Sequence, residues 1–532
     1  VVLTVRLAAP ADRPTLERAG ETWAAIGCDC HLDPTRRLDP AGGLEGAFAA
    51  IVPDLLDLCR RLGGDPSAGL AHTPSAATNV SDLGEMMAWS WLVEGWARED
   101  RSVLVVCADP WLFRHLASLA GVTAGTPPPL PGLRPAVRGF LARFRHALRA
   151  AWSAWSTRDD RNVFPGGSWL LSYGNPVSRP DGQDAYFGSL MHDEAELRRA
   201  LHVDCPPAEA ARLRDGGRSV SLHAWGSPLF ALAALPFARW RPRAEGSWAW
   251  LVRRAAAREG ATGQAAAIAW QIHCQRRWLA AVRPRAVAWP WESHGWERDL
   301  CRAARALNVR TAGYQHSTVG RFELNHHAGT LPDGPGGLPD RVLCTGALTR
   351  DVLTGWGVER DRCVVAGALR YAEATGPRHD PAAPVFFALP GDRALARCMV
   401  EAALDLARRL NRQVLVRPHP VYGVEVPEDR LVSRAACGLT GQEAVSAVVY
   451  AATTVGLEAV LFGLPTIRFV PAGCIANDIL PNTLDVPAAD AAGLAEAVEA
   501  AVPPRKIRRE DVFAPVDPDI WRHALSLTKA AP

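Results

Sequence analysis

The chain has 532 residues, 48% hydrophobic and 22% charged, with a formal net charge of +3. That length exceeds one ordinary core and predicts two or three domains, and the balance excludes a disordered chain. Without a basic excess no nucleic-acid partner is expected.

Lys506 and Lys529 are the only lysines, so arginine carries nearly all the positive charge. The twelve cysteines are scattered, and only Cys28 and Cys30 lie close together. They read as buried thiols of a reducing compartment and not as a disulfide or zinc framework. The first ten residues do not resemble a signal peptide, and no run of about 18 apolar residues occurs, so a cytoplasmic location is expected.

In chain order, the first half has strand-like runs at Ser102–Ala108, Trp169–Tyr173, Ser219–Ala224, Ala286–Trp291 and Arg310–Tyr314. Thr126–Pro135 (TPPPLPGLRP) is too proline-rich for a helix or central strand. It opens an inserted helical segment at about 126–160. There Val137, Phe140, Leu141, Phe144, Leu148, Trp152 and Trp155 recur at helical spacing, among Arg138, Arg143, Arg145 and Arg149. A basic amphipathic helix with tryptophans suits a membrane interface, so peripheral contact through 137–155 at the inner membrane is one expectation. Packing of the apolar stripe on the N-terminal domain is the other.

Leu331–Pro339 (LPDGPGGLP) reads as an interdomain linker. The domains expected are 1–335, then 340–505, then a tail, 506–532, that packs back on the first. In the second domain, strands are predicted at Arg341–Gly346, Cys363–Gly367, Val385–Leu389, Gln413–Arg417, Ala447–Ala451 and Thr466–Val470. A helix is predicted over Asp392–Leu410. Such alternation implies parallel sheets with helices on both faces. The fold class is therefore α/β, with two doubly wound Rossmann-like domains and a ligand cleft at the carboxyl ends of their strands.

Three motifs carry chemistry. In Val449–Thr466 (VYAATTVGLEAVLFGLPT) Thr453 or Thr454 can cap a helix whose free amides face a phosphate. Glu458, four residues on, shares that helix face and can accept from ribose hydroxyls. An ordinary capped helix with a solvated Glu458 is the competing account. In Gln413–Pro420 (QVLVRPHP) Arg417 and His419 stand where a strand leaves the sheet and suit donor phosphates. Ala288–Arg298 (AWPWESHGWER) and Gly313–Gly320 (GYQHSTVG) present Glu292, His294 and His316 after two first-half strands, where a carboxylate or imidazole can deprotonate an acceptor hydroxyl. Each of these residues alone is more often structural.

The runs ESHGWERDLCRAARALNVRTAGYQHS, PDRVLCTG, VVAGALRY, VRPHP and TTVGLEAVLFGLP, within about 280–470, resemble GT-B surface-carbohydrate transferases. These include capsule Kdo transferases, polysialyltransferases and teichoic-acid glycerophosphotransferases of bacteria. The resemblance implies the GT-B fold and sugar transfer from a nucleotide-sugar donor, a CMP-sugar first among them. The acceptor it implies is an O-antigen, capsule or other lipid-linked glycan. It implies donor phosphates held by His419, Thr453 and Thr454, with Arg370 of VVAGALRY beside them. Gln315-His316 resembles a Gln-His-Gly element, but Ser317 replaces the glycine.

No D-x-D follows a strand, since Asp517 and Asp519 lie in the tail, so neither metal nor cofactor is expected. His326 and His327 are of metal-ligating type, but adjacent residues point to opposite sides of a strand. Two other functions remain open: a nucleotide-sugar epimerase of the same fold, and a non-catalytic glycan- or nucleotide-binding assembly protein.

Overall fold

A computed structural model describes residues 5–38, 41–99, 101–163, 165–214, 217–370, 375–420, 423–480, 484, 486–505 and 507–527. Tyr371, Lys506 and Lys529 lie outside the described residues. The three larger sheets have parallel ladders throughout.

The largest sheet has seven strands. Across the sheet they run Ser219–Ser221, Leu197–Leu201, Ser168–Ser172, Ala286–Pro290, Arg310–Gln315, Arg341–Cys344 and Cys363–Val365. Numbered within the sheet, that order is 3-2-1-4-5-6-7. The six-stranded sheet runs Val432–Arg434, Val414–Arg417, Val385–Ala388, Ala447–Tyr450, Thr466–Phe469 and Ala488–Ala489, in the order 3-2-1-4-5-6. Both are doubly wound Rossmann-like sheets of the expected α/β class. Each reverses direction between its first and fourth strands, the switch point where such sheets bind ligands. Central strands such as Ala286–Pro290 and Val385–Ala388 are buried along their whole length, as a parallel sheet covered on both faces requires.

The sequence expectations need four corrections. Arg341–Cys344 and Cys363–Val365, assigned to the second domain, pair with Arg310–Gln315 and with each other in the seven-stranded sheet. Leu331–Pro339 is therefore a loop within that sheet, not a linker. Its turn chemistry is the same in either role. A third sheet of four strands, Val5–Ala8, Thr22–Ile26, Val103–Cys107 and Val122–Ala124, precedes the two others. Lastly, the strand expected at Ser219–Ala224 stops at Ser221, where a 3-10 turn, Leu222–Trp225, begins.

The long helix Arg393–Leu410 confirms its periodicity. Asp392 accepts from the Leu395 amide at 2.8 Å, and Leu395, Met399, Ala402, Ala403 and Leu406 are buried. In the tail, Asp517 caps the helix Pro518–Ala524. That helix packs on the seven-stranded sheet through Trp521, which is fully buried and donates to the Ala366 carbonyl.

The four-stranded unit touches the six-stranded unit directly. Arg468 donates to both carboxylate oxygens of Glu45 at 2.6 and 2.7 Å, both side chains being buried. Glu85 accepts from the Ile475 amide at 3.2 Å. Between the two larger sheets, Thr318 donates to the Ile479 carbonyl and the Arg321 amide to that of Asp478. A Cβ at Gly320 would run into the Asp478 carbonyl, so glycine permits this approach.

Candidate active site

The switch point of the seven-stranded sheet lies between the ends of Ser168–Ser172 and Ala286–Pro290. After Pro290 the chain makes a tight turn into the helix Gly295–Ala306. Ser293 in this turn has φ +56°, a strained value for a non-glycine residue. Glu297 holds it there: one carboxylate oxygen accepts from the amides of Glu292 and Ser293, each at 2.9 Å, and from the Trp289 indole at 3.0 Å. Glu297 is fully buried, and burial pushes its carboxyl up to about 7. Arg298 ties the same turn to the next loop, donating to the Ser293 carbonyl at 3.0 Å and to Thr330 Oγ1 at 2.7 Å.

This frame presents Glu292 and His294 as a pair, with His294 Nε2 2.9 Å from Glu292 Oε2. The Glu292 side chain is 37% exposed and His294 is buried, so the carboxylate is the member that a ligand can reach. Burial pulls the Glu292 carboxyl up, but the hydrogen bond and charge of His294 overcome it and leave the group at about 2. Burial likewise works against the His294 imidazolium, and Glu292 outweighs it, raising the group above its ordinary value. Each member thus favours the charged form of the other.

Around it lie His316, His326, His72 and Tyr173. His72 comes from the four-stranded unit, its ring 4.9 Å from that of His294. Burial pushes His316 down to about 4 and His326 and His72 to about 3, so all three are neutral at pH 7. Tyr173 follows the first strand of the sheet, partly buried beside His202 and Trp296. Asn325 donates to the Glu292 carbonyl at 2.6 Å. The Nδ1 atoms of His294, His316, His326 and His72 and Oε1 of Gln315 are buried without a hydrogen-bond partner among the described residues. So many unsatisfied groups in one place are costly in a core and suit a site that a polar ligand completes.

The second switch point lies between the ends of Val385–Ala388 and Ala447–Tyr450. The first of these strands leads to Asp392, whose carboxylate already occupies the amino end of the helix Arg393–Leu410. A phosphate there would meet like charge, so the turn after Tyr450 is the better anion site. In that turn Ala452 has φ +48°, and Thr453 and Thr454 are partly exposed. The expected cap is absent: Thr454 is in helical geometry and its side chain makes no capping bond. Its hydroxyl therefore does not satisfy the first amides of Val455–Leu461. Glu458 sits on that short helix, and burial raises its carboxyl against the charge of Arg370.

His419 stands beyond the neighbouring strand and is partly exposed, and burial lowers its pKa. Arg417 donates through Nη1 to the carbonyls of Ala435 and Ala436 at 3.2 and 3.1 Å, which turns it toward the adjoining strand and away from the Thr453–Thr454 turn. Arg370 joins the two halves. Its guanidinium lies 5.3 Å from the Tyr186 ring, Tyr186 stacks edge-on against His316, and its charge reaches both His316 and Glu458.

The structure thus gathers Glu292, His294 and His316 at one switch point and Thr453, Thr454 and Glu458 at the other, with Arg370 between them. His72, Tyr173, Tyr186 and Asn325 went unforeseen. Only Asn325, adjacent to His326, had a local signal, in the polar run NHH. His327 turns away from His326 and accepts from the Gly329 amide.

No family model matches the chain. No curated protein matches it either. Among solved structures it is similar in fold to a glycotransferase of kitacinnamycin, at 14% identity over 63% of this chain and 90% of that one, with a TM-score of 0.38. A UDP-N-acetylglucosamine 2-epimerase from Rickettsia bellii gives 11% identity over 66% and 90%, TM-score 0.38. A lipopolysaccharide outer core galactosyltransferase gives 11% over 67% and 94%, TM-score 0.34. These are likenesses of fold alone, at scores too low to bear on chemistry.

Proposed function

We propose that the chain is a GT-B-type glycosyltransferase that moves a sugar from a nucleotide-sugar donor to a surface-polysaccharide or lipid-linked glycan acceptor. One observation carries this reading: two switch points furnished with different chemistry and bridged by Arg370. A transfer needs a base for the incoming hydroxyl and a cradle for the leaving phosphate, on opposite sides of one sugar.

In this reading the acceptor hydroxyl sits against Glu292. Its oxygen attacks the anomeric carbon, the bond from that carbon to the donor phosphate breaks, and the hydroxyl proton passes to Glu292. Arg370, His419, Thr453 and Thr454 receive the charge on the departing nucleotide, and Glu458 accepts from the ribose hydroxyls. While His294 is an imidazolium, Glu292 at about 2 is a feeble base. When His294 loses its proton the carboxylate recovers its basicity. His294 thus gates the base.

The test is incubation with nucleotide sugars, with and without glycan acceptors, after the preferred base has been found by thermal shift with CMP, CDP, UDP, GDP and dTDP. Acceptor-dependent release of nucleotide supports the proposal. An epimerised nucleotide sugar formed without any acceptor indicates the epimerase instead, and binding without turnover the assembly protein.

A further inference from the structure

The inserted segment folds as the helix Arg134–Ser156, and it packs by its small side. Gly139, Ala147, Ala150, Ser153 and Ala154 are buried, and a Cβ at Gly139 would collide with the Gly260 carbonyl. Arg143 is also buried, donating to the carbonyls of Gly260 at 2.7 Å and Pro236 at 3.1 Å. It is thus a packing residue and not a surface charge. The large apolar side chains face outward: Phe140, Phe144, Leu148, Trp152 and Trp155 are 39% to 63% exposed. The face continues onto the short helix Pro228–Ala234 and the 3-10 turn Leu235–Phe237, where Leu229 is 77% and Phe237 64% exposed, Phe237 lying 5.9 Å from Phe140. A contiguous apolar surface of this kind marks an interaction site.

The charges around it name the partner. At 3.6 residues per turn, Arg134, Arg138, Arg145 and Arg149 fall on the strip adjoining the apolar face, and all four are exposed. Arg239, Arg241 and Arg243, also exposed, follow Phe237. No carboxylate occurs in 126–157 or in 217–244. Arg145, His146 and Arg149 line a pocket of about 390 Å³ beside the helix. A second copy of the chain docking by the same face would set this arginine border against itself. An anionic surface with an apolar interior complements it. We propose that the helix Arg134–Ser156 and the helical segment Pro228–Phe237 dock the chain on an anionic phospholipid bilayer. No helix among the described residues is long and apolar enough to cross one, so the contact is interfacial.

The placement fits the site. The strand Ser219–Ser221, which leads toward this segment, ends at the same carboxyl edge of the seven-stranded sheet as Ala286–Pro290, the strand before Glu292, three strands away or about 14 Å at the usual strand spacing.

Flotation of the full chain with phosphatidylglycerol–phosphatidylcholine vesicles, and with phosphatidylcholine alone, tests this by binding and not by turnover. The wild type should float with the anionic vesicles, less as salt rises. A Phe144→Ser/Trp152→Ser variant should lose about tenfold or more in partitioning while keeping its circular dichroism and melting temperature, because both side chains are exposed. An Arg145→Glu/Arg149→Glu variant should lose the preference for phosphatidylglycerol. Wild type that stays unbound at low salt overturns the proposal, as does binding that neither variant alters. A wild-type dimer that the serine variant dissociates, without flotation, also overturns it and assigns the face to a second copy.

Discussion

The two switch points share a topology and differ in what they do with polar groups. At the seven-stranded sheet the groups are interlocked: Glu297 fixes the turn through three donors, and Glu292 and His294 each favour the other's charged form. At the six-stranded sheet they are loosely held. Thr453 and Thr454 are partly exposed, no cap bond fixes Thr454, and burial favours the neutral form of His419. A reacting atom must be met within a fraction of an ångström, so rigid pre-set polarity belongs where bonds change. A phosphate has several oxygens and tolerates adaptable donors. Under the proposed function, chemistry falls to the first switch point and donor binding to the second.

The assignment breaks most visibly at Glu292. Glu292→Gln keeps shape and hydrogen bonding but removes the base, and transfer should fall by about 10²–10⁴-fold with the fold unchanged. A loss of only a few-fold in a transfer assay would move the chemistry to another group.

Stability should expose the interlocking. Glu297→Ala leaves the Glu292 and Ser293 amides and the Trp289 indole without their acceptor, at about 1–3 kcal/mol for each buried donor left unsatisfied. Urea denaturation should show a clear drop in midpoint. An equivalent truncation at the other turn, Thr453→Ala, should change the midpoint little.

The pH profile sharpens the comparison further. His294 has a raised pKa, so it is charged below that value and neutral above it. Turnover should therefore rise with pH as the profile passes upward through the His294 ionisation, which lies above 6.5, and His294→Ala should remove that limb. If His316 were the base, its pKa of about 4 would give a plateau across the neutral range. The pair also bears on stability. The part due to His294 is lost as pH rises through its raised pKa, and the part due to Glu292 is lost as pH falls toward about 2.

The sequence displayed some of this plainly. Apolar runs bounded by turns located eleven of the strands, because a buried parallel strand has few ways to look otherwise. Glu292 and His294 were legible because charged residues directly after such a run lie at a carboxyl edge. Sheet membership was not legible. Arg341–Cys344 and Cys363–Val365 are as apolar as their counterparts in the other sheet, and only pairing separates them. His72 and Tyr173 were hidden for a related reason: they reach Glu292 from distant chain segments, so no local spacing records them. The helix Arg134–Ser156 misled in a third way, since a small-residue stripe packs as well as a large one.

The division of labour between the switch points is most directly tested by calorimetric titration of the preferred nucleotide into wild type, Glu292→Gln and a His419→Ala/Thr454→Val double variant. Two hydrogen bonds to an anionic phosphate lost should weaken binding by roughly a hundredfold or more in the double variant, while Glu292→Gln should stay within about twofold of wild type. Unchanged affinity in the double variant, or a comparable loss in Glu292→Gln, would contradict the account.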